Sequence, residues 1–414
     1  MAKDRPMMLA VLADFGGRRE PGTRHLRRVD RESLDVVMAR LGVEAEVPDG
    51  DDVVKLRLQG MEDFHPDALV RRVPGLERLL AAPDEAPLPM PADPAPAVPS
   101  GESLLDSILG EPHPEISAAR EAIHDLARRV AEPSTVRTRR VHAADRRLAD
   151  GVRAVLYSPR FHGLEATWRG LAELVREAET GDDLEIYLLD ADRDEAPMLL
   201  AEELATPGAP RPTCVLAAYK FGPGDHDLAV LERYGAVALA AGMPVVADAS
   251  PAILALDDAR ELGDADVRRR IGMGTGPAAW RAFRSSPAAT NVSLVLPRVL
   301  VRPPYGRAGE PVTTFPFDEG LTGRDHERFL WGSGALAYGR VLGRAFAAEG
   351  WDADLDRYAQ LDGLPVHVWR EGGEECVLPC AEVAMSDATV ARIVEEGVMV
   401  AASVRGQDRV VMRR

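Results

Sequence analysis

The chain is poor in lysine, cysteine and aromatic residues, and nowhere is it apolar for long. None of its three lysines, Lys3, Lys55 and Lys220, follows a glycine-rich turn. A P-loop needs a lysine after its glycines, so ATP hydrolysis by this chain is not expected. Gly272-Met273-Gly274-Thr275-Gly276 follows a polar, arginine-rich stretch instead of an apolar strand, so it reads as a connector, not a dinucleotide loop. A glycine-x-serine-x-glycine nucleophile elbow is missing as well. The three cysteines, Cys214, Cys376 and Cys380, form no even framework, which fits a reducing compartment. Cys376 and Cys380 lie four apart without a second pair, so they read as ordinary strand cysteines, and no metal or cofactor is expected. His226 lies between Asp225 and Asp227, and His326 follows Asp325, but neighbours on a helix point in different directions. Both histidines are therefore expected on solvated faces, and no catalytic residue is assigned.

No run reaches bilayer length, and the amino terminus shows no charged leader followed by an apolar stretch. A cytoplasmic location is expected. A formal net charge of -17 argues against a broad nucleic-acid or anionic-membrane surface, because phosphates seek basic patches. What the chain does have is ordinary globular material: 46% hydrophobic and 28% charged residues over 414 positions. That length exceeds what one hydrophobic core usually organises, so two or three domains are expected.

Met7 to Ala13 is an apolar run ending at Asp14 and Gly16-Gly17, which suits a buried strand. Asp30 is placed to cap a helix with Leu34, Val37, Met38 and Leu41 on one face and Gly42 at its end. Val43 to Val47 and Val53 to Leu58 alternate as a hairpin, with Pro48, Asp49 and Gly50 in the turn. Residues 1–80 thus read as a small α+β unit. Proline and alanine dominate residues 81–100, which read as an extended linker. An amphipathic helical segment is expected within 101–135, where Leu104, Leu105, Ile108 and Leu109 share a face. From 136 to 414, helices at 141–157, 159–177 and 228–241 alternate with apolar strands at 184–189, 213–218, 243–247 and 292–296. This alternation predicts an α/β layer over a mainly parallel sheet. A long helix over 328–349 and a closing hairpin, 398–404 with 409–412, complete the expectation.

The stretch Arg160 to Leu171 carries further information. Leu164, Trp168, Leu171 and Val175 fall on one helical stripe, a packing pattern, with Glu165, Arg169, Glu173 and Arg176 on the remaining faces. The run Leu164-Glu165-Ala166-Thr167-Trp168-Arg169-Gly170-Leu171 resembles the opening of the large subunit (TssC/VipB-like) of the type VI secretion contractile sheath. Four later segments resemble that family in the same order: Ala218 to Gly224 with Asp227, Ala279 to Ser285 with its Trp280, Leu296 to Tyr305, and His326 to Gly332 with its Trp331. Ahead of the linker, Leu12 to Gly17, Val29 to Met38 and Met61 to Val70 resemble the small subunit (TssB/VipA-like) of the same sheath. The two partners are thus read as fused in one polypeptide, which makes their encounter intramolecular and fixes their ratio at one to one.

The resemblance implies a structural subunit, not an enzyme. Its implied partners are copies of itself or other sheath subunits, an inner-tube protein, a baseplate and the AAA+ ATPase that recycles sheaths. The small-subunit family carries a further strand before the apolar run, where only Met1 to Pro6 stand here, and the large-subunit family continues for about a further domain past Arg414. These departures keep open a second reading, a sheath-like adaptor or cap that does not contract. A nucleotide-binding α/β enzyme is a third. The Leu104, Leu105, Ile108 and Leu109 face is either docked on its own domain or, as the resemblance implies, the peptide gripped by the ATPase. Arg281, Arg284, Arg298 and Arg302 sit among aromatic and proline residues and serve either internal packing or contact with an acidic neighbour.

Overall fold

The computed structural model describes residues 6–18, 24–81, 144–178, 180–264, 266–306 and 309–414. The expected linker and the 101–135 segment, with Leu104, Leu105, Ile108 and Leu109, lie outside the described residues.

The amino-terminal part contains β1 (Met7–Ala13), β2 (Arg27–Val29), α1 (Leu34–Leu41), the hairpin β3 (Glu44–Asp49) and β4 (Asp52–Arg57), then α2 (Pro66–Arg72) and α3 (Pro74–Ala81). α1 buries the four apolar residues predicted for it and ends at Gly42 in the left-handed conformation, but Asp30 is not its cap. The Asp30 carboxylate instead accepts hydrogen bonds from the Ser33 and Glu32 N–H groups at 2.8 and 3.1 Å, which holds a turn ahead of the helix. The hairpin turn is also tighter than expected, since Pro48 and Asp49 belong to β3.

Beyond residue 144 come α4 (helical over 144–156), α5 (Pro159–Glu177), β5 (Leu184–Asp190), α6 (Ala196–Ala205), β6 (Cys214–Phe221), α7 (Asp225–Ala241) and β7 (Val245–Ala249). They are followed by α8 (Val267–Arg270), α9 (Thr275–Arg284), β8 (Val292–Leu296), β9 (Val299–Leu300), β10 (Trp331–Gly332) and α10 (Gly334–Glu349). Last are β11 (Gln360–Leu361), the hairpin β12 (Val368–Glu371) and β13 (Glu374–Val377), α11 (Asp387–Glu395), β14 (Val398–Ser403) and β15 (Val410–Arg413).

Nine strands form one sheet in the order β11-β15-β14-β8-β7-β6-β1-β5-β2. The six central strands run parallel, and β2, β15 and β11 pair antiparallel at the edges. The mixed α/β class and mainly parallel sheet read from the sequence are therefore present. β1 lies between β5 and β6, with Leu9 opposite both Ile186 and Cys214. Its unbroken apolar run follows from that position, because a central parallel strand is covered on both faces. Leu9 and Val11 join one core with Trp168, Leu171 and Leu336, while Ala10 and Leu12 join the opposite core with Leu200, Leu231 and Trp280.

One helix begins later than expected. Residues 326–328 form a single tight turn, Trp331-Gly332 pairs antiparallel with Val299-Leu300, and α10 starts only at Gly334. The delay comes from Ser333, whose side chain caps the helix at the Leu336 N–H. Asp248, at the end of β7, adds its carboxylate to the Ala335 N–H at 2.9 Å and the Ser333 hydroxyl at 3.0 Å.

Candidate functional site

Residues of both resembled parts meet where the amino-terminal part packs on α5, while Trp280 and Trp331 lie in other cores. The Trp168 indole N–H donates to the Phe15 carbonyl at 3.0 Å, and the two rings meet edge to face at 5.0 Å. Phe64 meets Phe161 in the same way at 5.4 Å. Asp67 accepts from the Thr313 and Thr314 N–H groups, and Arg160 bridges to Asp14. Leu164 and Leu171 are buried beside these contacts, as the stripe predicts.

At the centre sits Arg302, whose side chain is 3% exposed, between two carboxylates that are 0% exposed. Its Nε donates to Glu165 at 2.7 Å, its Nη1 to Glu319 at 2.7 Å, and the guanidinium lies 4.0 Å from the Tyr305 ring centroid. Arg169 adds a bond to Glu165 at 2.9 Å and another to the Tyr305 hydroxyl at 2.7 Å. The Tyr305 N–H donates to Glu319. Burial would raise the Glu165 carboxyl, but the Arg302 and then Arg169 charges outweigh it and hold it at about 2. Glu165, off the apolar stripe, is thus buried all the same. Its partner lies 137 residues away, and helical periodicity carries no sign of it.

The other three arginines are spread out. Arg298 grips Glu382 through Nε at 2.8 Å and through its own N–H at 2.9 Å. His326 is buried beside this pair, with Nε2 3.5 Å from Glu382, so the expectation of a solvated His326 is corrected. Burial would raise Glu382 as well, yet the His326 ring beside it and the Arg298 charge hold it at about 2. His326, Glu327 and Glu382 offer ligand atoms within 4.8 Å of one another. The Arg298 guanidinium already bridges Glu327 and Glu382, so the place a metal would take holds an organic cation. Arg281 bonds to Glu396 at 3.0 Å while half exposed, and Arg284 donates to the Val292 carbonyl at 3.0 Å. Trp280 donates to the Glu396 carbonyl and Trp331 to that of His326, so each buried indole has its hydrogen bond satisfied. His226 is exposed and meets Asp194 at 2.9 Å.

Arg302, Glu165, Tyr305 and Trp168 spend their polar groups on one another and on the backbone, in buried positions, which is the chemistry of a rigid scaffold. Among the described residues, no helix is long and apolar enough to cross a membrane. Residues 138–413 match the family described as "VipB: EvpB/VC_A0108, tail sheath N-terminal domain", and residues 1–93 match "Type VI secretion system, VipA, VC_A0107 or Hcp2". The chain is also 27% identical over 327 residues to the "Type VI secretion system sheath protein TssC1" of Pseudomonas aeruginosa, covering 70% of this chain and 66% of that protein. It thus spans just under two thirds of the length of that relative. The chain belongs to the VipB family of type VI secretion tail sheath proteins, with a VipA-type segment joined ahead of it in the same polypeptide.

Proposed function

We propose that this chain is a structural subunit of a type VI secretion-like sheath in the cytoplasm, stacking with copies of itself and other sheath subunits around an inner tube. The observation that carries this reading is the position of β1: a strand from the VipA-type part is an interior strand of the sheet, paired parallel on both sides with strands of the VipB-type part. One polypeptide is thereby one mechanical body. Contraction would be a rigid-body change between two packings of that body, driven without nucleotide hydrolysis in the chain. Identical copies meeting through unlike surfaces build open helices when the rotation does not close, which suits a sheath.

Arg281 and Arg284 keep exposed surface and are the arginines of the four suited to contact a neighbour. Leu104, Leu105, Ile108 and Leu109 would serve as the handle for a recycling AAA+ ATPase, and a baseplate would receive the end of the tube. Electron microscopy of the purified chain at high concentration tests the reading. Tubes or rings are expected, and deleting residues 103–111 should leave them intact while blocking their removal by the ATPase. Compact monomers at every concentration would defeat the builder reading and favour a non-contracting adaptor.

A further inference from the structure

On this strongly acidic protein one cleft is basic. It has a volume of about 260 Å3 and opens between the loop after β1, the segment leading into β2, the end of α1 and the end of β4. Its lining includes Arg18, Arg24, Arg27, Arg40 and Arg57 against a single carboxylate, Asp190. That carboxylate is engaged with the Phe15 and Gly17 N–H groups at 2.8 and 3.0 Å, so it closes the loop over β5. Arg18 and Arg24 pair with Glu44 and Glu195. Arg40 is exposed and makes no hydrogen bond or ion pair among the described residues, and the Arg57 guanidinium stands opposite Glu44 in the β3–β4 register without a hydrogen bond of its own. Arginine forks of this kind take carboxylates in pairs.

A carboxylate donor is exposed elsewhere on the same chain. The β12–β13 hairpin turns at Gly372-Gly373, both at positive φ, and nothing lies within 4 Å of a Cβ built on either residue. Glu371 and Glu374 stand directly opposite one another at its tip, with Glu375 beside them, and all three are exposed. Like charges in directly opposed positions destabilise a strand pair; Arg324 meets Glu371 and Arg370 stands opposite Glu375, which leaves Glu374 as the carboxylate an external cation would relieve. Glu374 and Glu375 have no ion pair among the described residues, whereas Glu371 meets Arg324.

We propose that the basic cleft receives the acidic β12–β13 tip of a second copy of this chain. This rests on the reading that copies assemble, and it names one contact between them. Cleft and tip are different surfaces, so the contact is head to tail and repeats along a stack.

The test is a charge swap followed by sedimentation velocity at low salt. Arg40→Glu/Arg57→Glu and Glu374→Arg/Glu375→Arg should each associate at least about tenfold more weakly than the unmodified chain, because like charge then meets like. An equimolar mixture of the two should recover association, since each reversed surface then finds its complement. Reversed variants that assemble like the unmodified chain, or a mixture that does not recover, would overturn the proposal and leave the sheath reading standing. Failure of the unmodified chain to associate would instead count against the sheath reading. The cleft is then decided separately by fluorescence anisotropy with a labelled peptide of residues 369–375. Binding that disappears in Arg40→Glu/Arg57→Glu upholds the proposal, and absence of binding ends it. The exchanged residues are exposed, so unchanged melting of both variants checks that folding is intact.

Discussion

Replacing Arg302 with methionine keeps much of its bulk and removes its charge from between two carboxylates. Glu165 would retain Arg169 and the Tyr305 hydroxyl, and Glu319 would retain the Tyr305 N–H and the Tyr157 hydroxyl, so neither is left bare. Removing one partner of a buried ion pair costs about 3–5 kcal/mol, chiefly because the remaining charge stays in a poor solvent. With each kcal/mol worth about 2–4 °C for a domain of 150–250 residues, a fall in melting temperature of about 6–20 °C is expected at pH 7. The pH dependence has a definite sign. The Glu165 carboxyl sits at about 2 in the folded chain against an ordinary 4.5, so its pairing stabilises fully above 4.5 and is lost as pH falls through 2. The gap between Arg302→Met and the unmodified chain should therefore be widest near neutrality and narrow below about pH 4.5. Urea unfolding at a series of pH values reads both effects. Adding Glu319→Gln to Arg302→Met should recover part of the loss, since Glu165 keeps Arg169 and no buried carboxylate is then left without a cation. A loss below about 1 kcal/mol at pH 7, the size of an exposed pair, would refute the account of this knot.

Glycines give a matched contrast. A Cβ at Gly235 would lie 2.0 Å from the Ala288 carbonyl oxygen, a backbone atom that cannot swing aside, so Gly235→Ala should cost at least the roughly 1–3 kcal/mol of an overpacked core. At Gly163 in α5 nothing lies within 4 Å, so Gly163→Ala should stabilise by about 0.5–1 kcal/mol; urea midpoints of equal sign for the two would contradict the packing described. Asp248 supplies a pH test of opposite sense to Glu165. Burial pushes its carboxyl up to about 6, although the Ala335 and Ser333 hydrogen bonds pull the other way. With a folded value above the ordinary 3.8, its contribution is fully present below 3.8 and lost as pH rises through 6. Asn accepts the same two hydrogen bonds through its amide oxygen without the charge, so Asp248→Asn should be more stable than the unmodified chain at pH 7 by up to about 3 kcal/mol. Near pH 4 the advantage should vanish, and an advantage independent of pH would show that the carboxylate is not the source.

The stripe Leu164, Trp168, Leu171 and Val175 was legible because burial on a helix repeats with the helix, and all four are buried. The strands of the central sheet were legible because a strand covered on both faces cannot alternate. What local pattern cannot carry is partnership. Glu165 sits next to Leu164 and reads as polar surface until Arg302 is brought to it, and His326 reads as solvated until Glu382 and Trp331 close over it. The start of α10 was misplaced for a related reason, since Leu330 and Trp331 continue an apolar run into a strand that only its pairing with Leu300 defines. The basic cleft was overlooked because Arg18, Arg40 and Arg57 are dispersed in the sequence and only the turn after β1 collects them.

The interior place of β1, between two strands encoded far downstream, dictates how the molecule must be made. Translation delivers this strand long before its neighbours, since both flanking strands emerge only after residue 183, and the pairing Leu9 with Cys214 spans 205 positions. Closing so wide a loop is entropically slow, and until it closes the sheet has a gap one strand wide with two unpaired edges. During that interval the nascent polypeptide presents to its surroundings a vacancy that fits a strand, and in a crowded cell a segment from a sibling chain competes to fill it.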